Sequence, residues 1–476
     1  MNIAGIIKFV FLLQFAASVQ GLASRLATLD LADVPEKVIN SGVLNKTVVF
    51  GYTYETAMNV SQIPWESLTH LVLAFFQINA AGDVTTANGN LSTIINPAHR
   101  NGVKVIASIG GSGDGSVALA RALDAKEISA HMIESVIENI KRHNLDGIDI
   151  DYEFPETPQQ IKSLYSALKS TRYALDSAFG KGQKILTTTL FSSNGRFGPN
   201  VPQVNAKPFS DIVDYGLLMS YDYFGSFSQI SAPNSPFYDV PGYPGLSFTS
   251  SIAAWLSAGW DAEKLVAGLA YYGRTAIVSS KSAQITQFMP NSGAAPPGGP
   301  IDKIAGAWTW ADLRDPTEGA LIAPAEARQG WQRFWDNGTQ TPWLFHLDSQ
   351  TYIGYDDIDS LSVKANHIIT EGLAGAMVWM VQYDYGRELE SVVQSYSSVC
   401  SRIFRQALEQ SELSLLDSDG QEESEEIDNS KSMSHKTRDS GGIISTHSTF
   451  EPSSASCNLY RLSQAAALAI LAFAAL

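Results

Sequence analysis

Eight short runs rich in β-branched and aromatic residues recur between residues 47 and 380, and they limit this chain more than any other feature. They are Thr47–Thr53, His70–Asn79, Val103–Ile109, Gly147–Glu153, Lys184–Leu190, Val213–Tyr221, Leu265–Tyr271 and Gly375–Met380. Several are apolar on both faces, as strands of a buried parallel sheet are. The stretches between them carry helical periodicity. Ile128, Met132, Val136 and Ile140 recur every fourth residue, and Gln160–Leu175 repeats the stripe. Alternating strands and helices imply a parallel α/β sheet, and eight strands fit a closed (β/α)8 TIM barrel better than an open sheet. One connection is too long for a simple crossover. Between Tyr272 and Tyr355 lie Gly/Pro-rich and Trp-rich segments, which predict a small α+β subdomain inserted at about 275–350. Its tryptophans Trp308, Trp310, Trp331, Trp335 and Trp343 fit a sugar cleft and a small core equally well.

The fourth run carries the chemistry. It reads Asp146-Gly147-Ile148-Asp149-Ile150-Asp151-Tyr152-Glu153. Side chains alternate along a strand, so Asp149, Asp151 and Glu153 share one face. Carboxylates about 6.6 Å apart repel when all are ionised, which pushes at least one pKa upward. In a barrel, strand ends on the C-terminal side form the functional mouth, and Glu153 lies last, where a general acid belongs. A calcium loop also alternates acids, but needs a Gly turn and polar spacers where this run has Ile, Ile and Tyr. A solvated strand face is the other alternative.

The pattern D-x-x-D-x-D-x-E, here Asp146 to Glu153, resembles the signature of glycoside hydrolase family 18, the chitinases. The resemblance extends over about residues 45–395. Ser108-Ile109-Gly110-Gly111 resembles the family's third-strand S-x-G-G, Met219-Ser220-Tyr221-Asp222 its sixth-strand M-x-Y-D, and Leu269–Arg274 the strand before the insertion. Gly375–Trp379 resembles the eighth-strand motif. The resemblance implies a retaining hydrolase in which the substrate's own acetamide is the nucleophile and Glu153 the general acid/base. It implies that Asp151 orients the acetamide, that Asp149 exchanges a hydrogen bond with Asp151, and that Asp146 is structural. Tyr221, Asp222, Met219, Trp379, Ser108 and Gly111 would bind substrate, with Tyr52 a further wall of the site. Phe154-Pro155 stands where many relatives carry Tyr-Pro. No cofactor or metal is implied. Three readings follow: a chitinase, endo-type favoured; a lectin-like chitin binder of weak activity; or a hydrolase or transglycosylase on another N-acetylated glycan.

The ends read as processing segments. Lys8, the apolar run Phe9–Ala17 and small residues Val19 and Gly21 predict a signal peptide over 1–21. Residues 406–455 are acidic and Ser-rich, predicting a disordered stalk after a domain that ends near 400. The last 12 residues, Ala465–Leu476, are apolar but short of the roughly 20 that span a bilayer. With Ser453-Ser454-Ala455-Ser456 and a polar spacer before them, they predict a GPI signal, 456–476, with attachment at Ser453 or Ser454. The expected place is the cell surface, with membrane contact only through that lipid. Sequons at Asn45, Asn59, Asn90 and Asn337 agree with export. Cleavage near Ser453 would strip Cys457 from Cys400; without it, a disulfide between the two is allowed. The formal charge of −16 argues against nucleic acid. Chito-oligosaccharides are the expected partner, and the protein is expected to be a monomer.

Overall fold

The computed structural model describes residues 29–425 apart from 57–59, 88, 194 and 279–284. Eight parallel strands close into a barrel: β1 (Val48–Tyr54), β2 (His70–Ile78), β3 (Lys104–Gly110), β4 (Gly147–Asp151), β5 (Ile185–Leu190), β6 (Tyr215–Leu218), β7 (Leu265–Ala270) and β8 (Gly375–Trp379). Each pairs with its sequence neighbours, and β1 pairs with β8 through Val48–Gly375 to Gly51–Val378. All eight expected strands are present, with no end moved by more than three residues. The seam explains Gly375: a Cβ there would lie 1.8 Å from the Val48 carbonyl oxygen.

The intervening helices follow the apolar stripes. Lys126–His143 buries Met132, Val136 and Ile140 and stops at Asn144, which takes a left-handed φ of 55°. Pro158–Phe179 starts from Thr157, which exchanges capping bonds with Gln160, and Pro158 fills the first turn.

The insertion starts directly after β7. Strands Trp331–Asp336, Thr341–His346, Thr351–Gly354, Tyr272–Ile277 and Ala307–Thr309 form, in that spatial order, an antiparallel sheet. Ala276, Val278, Met289, Trp343, Phe345 and Tyr352 form its own small core. Glu388, just beyond the barrel, ties it down: its carboxylate accepts from Trp310 Nε1 at 2.9 Å and from Arg314 Nε and Nη2 at 2.9 and 3.0 Å.

After β8 a helix runs over Glu390–Glu425. Val392, Val393, Tyr396, Val399, Cys400 and Ile403 are buried and anchor its first half. This corrects the expectation of an unstructured stalk from 406. The apolar stripe fixes the helix upstream, and Ala407, Leu408, Glu409 and Gln410 are good helix formers that let it propagate. The expected signal peptide (1–21), the rest of the stalk, Ser453, Ser454, Cys457, the GPI signal and the sequon Asn59 lie outside the described residues. Asn45, Asn90 and Asn337 are exposed, as acceptors must be. Among the described residues no helix is long and apolar enough to cross a membrane.

Candidate active site

At the C-terminal mouth of the barrel lies a cavity of about 360 Å³. β4 delivers the acids to it. Asp149 and Asp151 are buried within the barrel, and Glu153 lies two residues past the strand's end. Its backbone N–H donates to Ser116 Oγ at 2.6 Å. Asp151 and Glu153 line the cavity with Tyr52, Met219, Tyr221, Asp222 and Trp379.

The three acids differ in surroundings. Asp149 is the deepest and accepts three hydroxyl hydrogen bonds: Tyr52 (2.9 Å) and Ser108 (2.7 Å) on Oδ2, and Thr187 (2.6 Å) on Oδ1. Burial still raises its pKa. Asp151 accepts from Thr189 Oγ1 at 2.7 Å on Oδ1. Burial, with the charges of Glu153 and Asp149, holds it well above the usual carboxylate range. Burial and the nearby Asp222 push Glu153 to about 7. Phe154 packs edge-on against Phe191 at 4.7 Å, and both line the cavity, which gives Glu153 an apolar wall.

Aromatic rings make the floor. Trp379 is partly exposed, with ring centres 5.3 Å from Tyr52, 6.3 Å from Tyr54 and 5.9 Å from Phe75, the last stacked. Tyr221 is buried, with its hydroxyl 3.6 Å from Met377 Sδ. Asp222 is held by Arg274, which donates through Nε and Nη2 at 2.6 Å each, and by Tyr272 Oη at 2.7 Å. The single guanidinium lining the cavity is therefore already engaged.

Three expectations need correction. Ser108 does not border the cavity; it is fully buried and serves Asp149 from behind. Gly111 does not border it either. Its N–H donates to the Asp151 carbonyl at 2.9 Å, and at its φ of +77° a Cβ would strike the Phe75 ring. Asp149 and Asp151 exchange no hydrogen bond among the described residues; the hydroxyls of Tyr52, Ser108 and Thr187 serve Asp149 instead. Asp146 sits at the other end of the strand, where Oδ2 accepts from Val105 N–H at 2.7 Å and lies 2.8 Å from His99 Nε2, joining β3 to β4. In the insertion, Trp310 and Trp343 are buried and Trp308 pairs edge-on with Trp331 at 5.7 Å. None of the five tryptophans lines the cavity, which meets the insertion at Asp302, Ile304, Ala307 and Thr309 instead.

Sequence reasoning missed Thr187, Thr189 and the pairing of Arg274 with Asp222. Alternation in Thr187-Thr188-Thr189 was the available signal for the first two. Among the described residues no group of three or more His, Cys, Asp or Glu is placed to hold a metal ion.

A family model described as glycosyl hydrolases family 18 matches residues 47–384, from the start of β1 to just past β8. The chain belongs to glycosyl hydrolases family 18. Relatives in sequence include a chitinase-like effector from Moniliophthora roreri, 26% identical over 68% of this chain and 86% of that protein. Another is Chitinase A1 from Niallia circulans, 27% identical over 67% of this chain and 44% of that protein. A chitinase from Rhizomucor miehei superposes with a TM-score of 0.64 at 22% identity, covering 74% of this chain and 100% of that one. A class V chitinase mutant from Nicotiana tobaccum, solved in complex with NAG4, gives 0.64 at 21% over 74% and 99%. At such identities the structural likeness speaks for the family 18 fold: a parallel eight-stranded barrel with a small antiparallel subdomain.

Proposed function

We propose that this family 18 protein is an extracellular chitinase that cuts β-1,4-linked N-acetylglucosamine chains internally, with retention of configuration. The observation that carries the reading is Glu153. It closes a stack of three acids, lines the cavity above the Trp379 floor, and keeps its proton to about pH 7. The substrate's acetamide oxygen attacks the anomeric carbon while Glu153 gives its proton to the departing glycosidic oxygen. The cyclic oxazolinium ion so formed is opened by water, whose proton returns to Glu153. The nucleophile is tethered to the substrate, so no entropy is lost in bringing it to the reacting carbon. Asp151 accepts from the acetamide N–H and balances the positive charge. Tyr221 donates to the acetamide oxygen, and Trp379 stacks on the C–H face of the sugar.

The test is hydrolysis of a defined N-acetylglucosamine oligomer by the wild type and by Glu153→Gln, with anomer analysis of the first product. Initial β-anomer release is expected. The variant should lose about 10²- to 10⁴-fold in rate while still binding the oligomer. Wild-type kcat should fall as the pH rises past about 7, where Glu153 loses its proton. Tight binding without cleavage by the wild type would mean a lectin. Neither binding nor cleavage would direct the search to other N-acetylated glycans.

The protein is also proposed to be exported and GPI-anchored at the cell surface, on the strength of the two terminal sequence signals. Deleting Ser453–Leu476 should release it into the medium; unchanged retention would count against the anchor.

A further inference from the structure

The acid ladder of β4 has a neighbour that the proposed reaction does not use. β5 runs parallel beside it, with Asp149 opposite Thr187 and Ile150 opposite Thr188. Alternation turns Thr187 and Thr189 to the face that carries Asp149 and Asp151, so a ladder of hydroxyls stands beside the ladder of acids. Thr188 points the other way and donates to the Ile150 carbonyl at 3.0 Å. The rungs are unequal. Asp149 has three hydroxyl donors spread over both oxygens, which suits a fixed anion. Among the described residues the Asp151 carboxylate has one, Thr189, on Oδ1. Thr189 is buried and also lines the cavity.

We infer that Thr189 is a positioning residue for the hydrolysis proposed above: its hydroxyl holds Asp151 apart from Asp149 and leaves Oδ2 free to meet the acetamide N–H. This rests on the chitinase reading. A donated hydroxyl also favours the ionised carboxylate. The other titratable groups around Asp151 are Asp149 and Glu153 on its own segment, Tyr52 on β1 and Tyr221 in the segment after β6, with Asp222 beyond Glu153 and already paired to Arg274. Thr189 is the one hydrogen-bond donor to the Asp151 carboxylate among the described residues.

Thr189→Val removes the hydroxyl at nearly constant shape, and Thr189→Ser keeps it. The Val variant should lose about tenfold or more in kcat, as fits a lost hydrogen bond to a charged group, with KM changed less. Its pH–rate bell should narrow from the acid side. Without the donor Asp151 needs a higher pH to ionise, so the acid limb moves up. Thr189→Ser should restore kcat and the width of the bell. Thr189→Ala, which also lacks the hydroxyl, should behave as Val does and serves if Val misfolds. Carboxyl ¹³C titration gives a readout without turnover: the Asp151 transition should move up in Val and Ala, but not in Ser. A wild-type bell and an unmoved Asp151 titration in both Val and Ala would overturn the inference. If the wild type cleaves no chito-oligosaccharide, the chitinase reading fails and, with it, the assignment of Thr189 to that reaction.

Discussion

Glu153 gains its proposed role at a cost to the fold. Its carboxyl titrates near 7 in the folded protein against 4.5 as an ordinary glutamate, so between those values the native state binds more protons than the unfolded chain. Stability from this residue is therefore highest below about pH 4.5 and is lost as the pH rises through 7. The upper limit is about 3 kcal/mol, reduced by solvent that reaches the partly exposed side chain. Glu153→Gln does not titrate. It should melt a few degrees above the wild type at pH 8 and gain little at pH 4, as scanning calorimetry at the two values would show. An equal gain at both pH values would mean that desolvation of Glu153 is not stored in the fold. At this scale the three acids, Tyr221, Asp222 and Trp379 were legible in the sequence, because strand alternation and the matched motifs placed them. The hydrogen bonds of Asp149 were not. Their donors come from β1, β3 and β5, and nothing local in Tyr52, Ser108 or Thr187 says that they converge on one carboxylate.

At the scale of elements, all eight strands were readable, since most are β-branched or aromatic runs with turn residues nearby. The insertion was readable only as a gap with approximate limits. Its strands are only three to six residues long, which leaves little periodicity to read, and one of them, Trp331–Asp336, is only partly buried. The C-terminal helix was missed beyond 405 because composition was weighed there without the anchored turns upstream. Strand contacts give the sharpest prediction. Gly375 lets β8 approach β1 so closely that a methyl group would meet the Val48 carbonyl oxygen. That neighbour is backbone and cannot turn aside. Gly375→Ala should cost about 1–3 kcal/mol, measured as a lower urea midpoint with unchanged slope. An unchanged midpoint would mean that the seam is looser than its register implies.

For the whole molecule, fold class and site location followed from the order of elements, whereas the link between subdomain and barrel did not. One such link is Glu388, a buried carboxylate shared by Trp310 and Arg314, and no pattern joins residues so far apart in the chain. The seam between β1 and β8 has a further consequence, for synthesis. The two strands that close the barrel are more than three hundred residues apart, so β1 must wait for nearly the whole domain to be made before it gains its second partner. Until then the growing sheet has two open edges, one of them β1 itself, which offer unpaired backbone groups to any other strand. The interval between making Tyr54 and making Gly375 is thus when the nascent chain is most exposed to aggregation, and chaperones acting on it would have to shield its first strand longest.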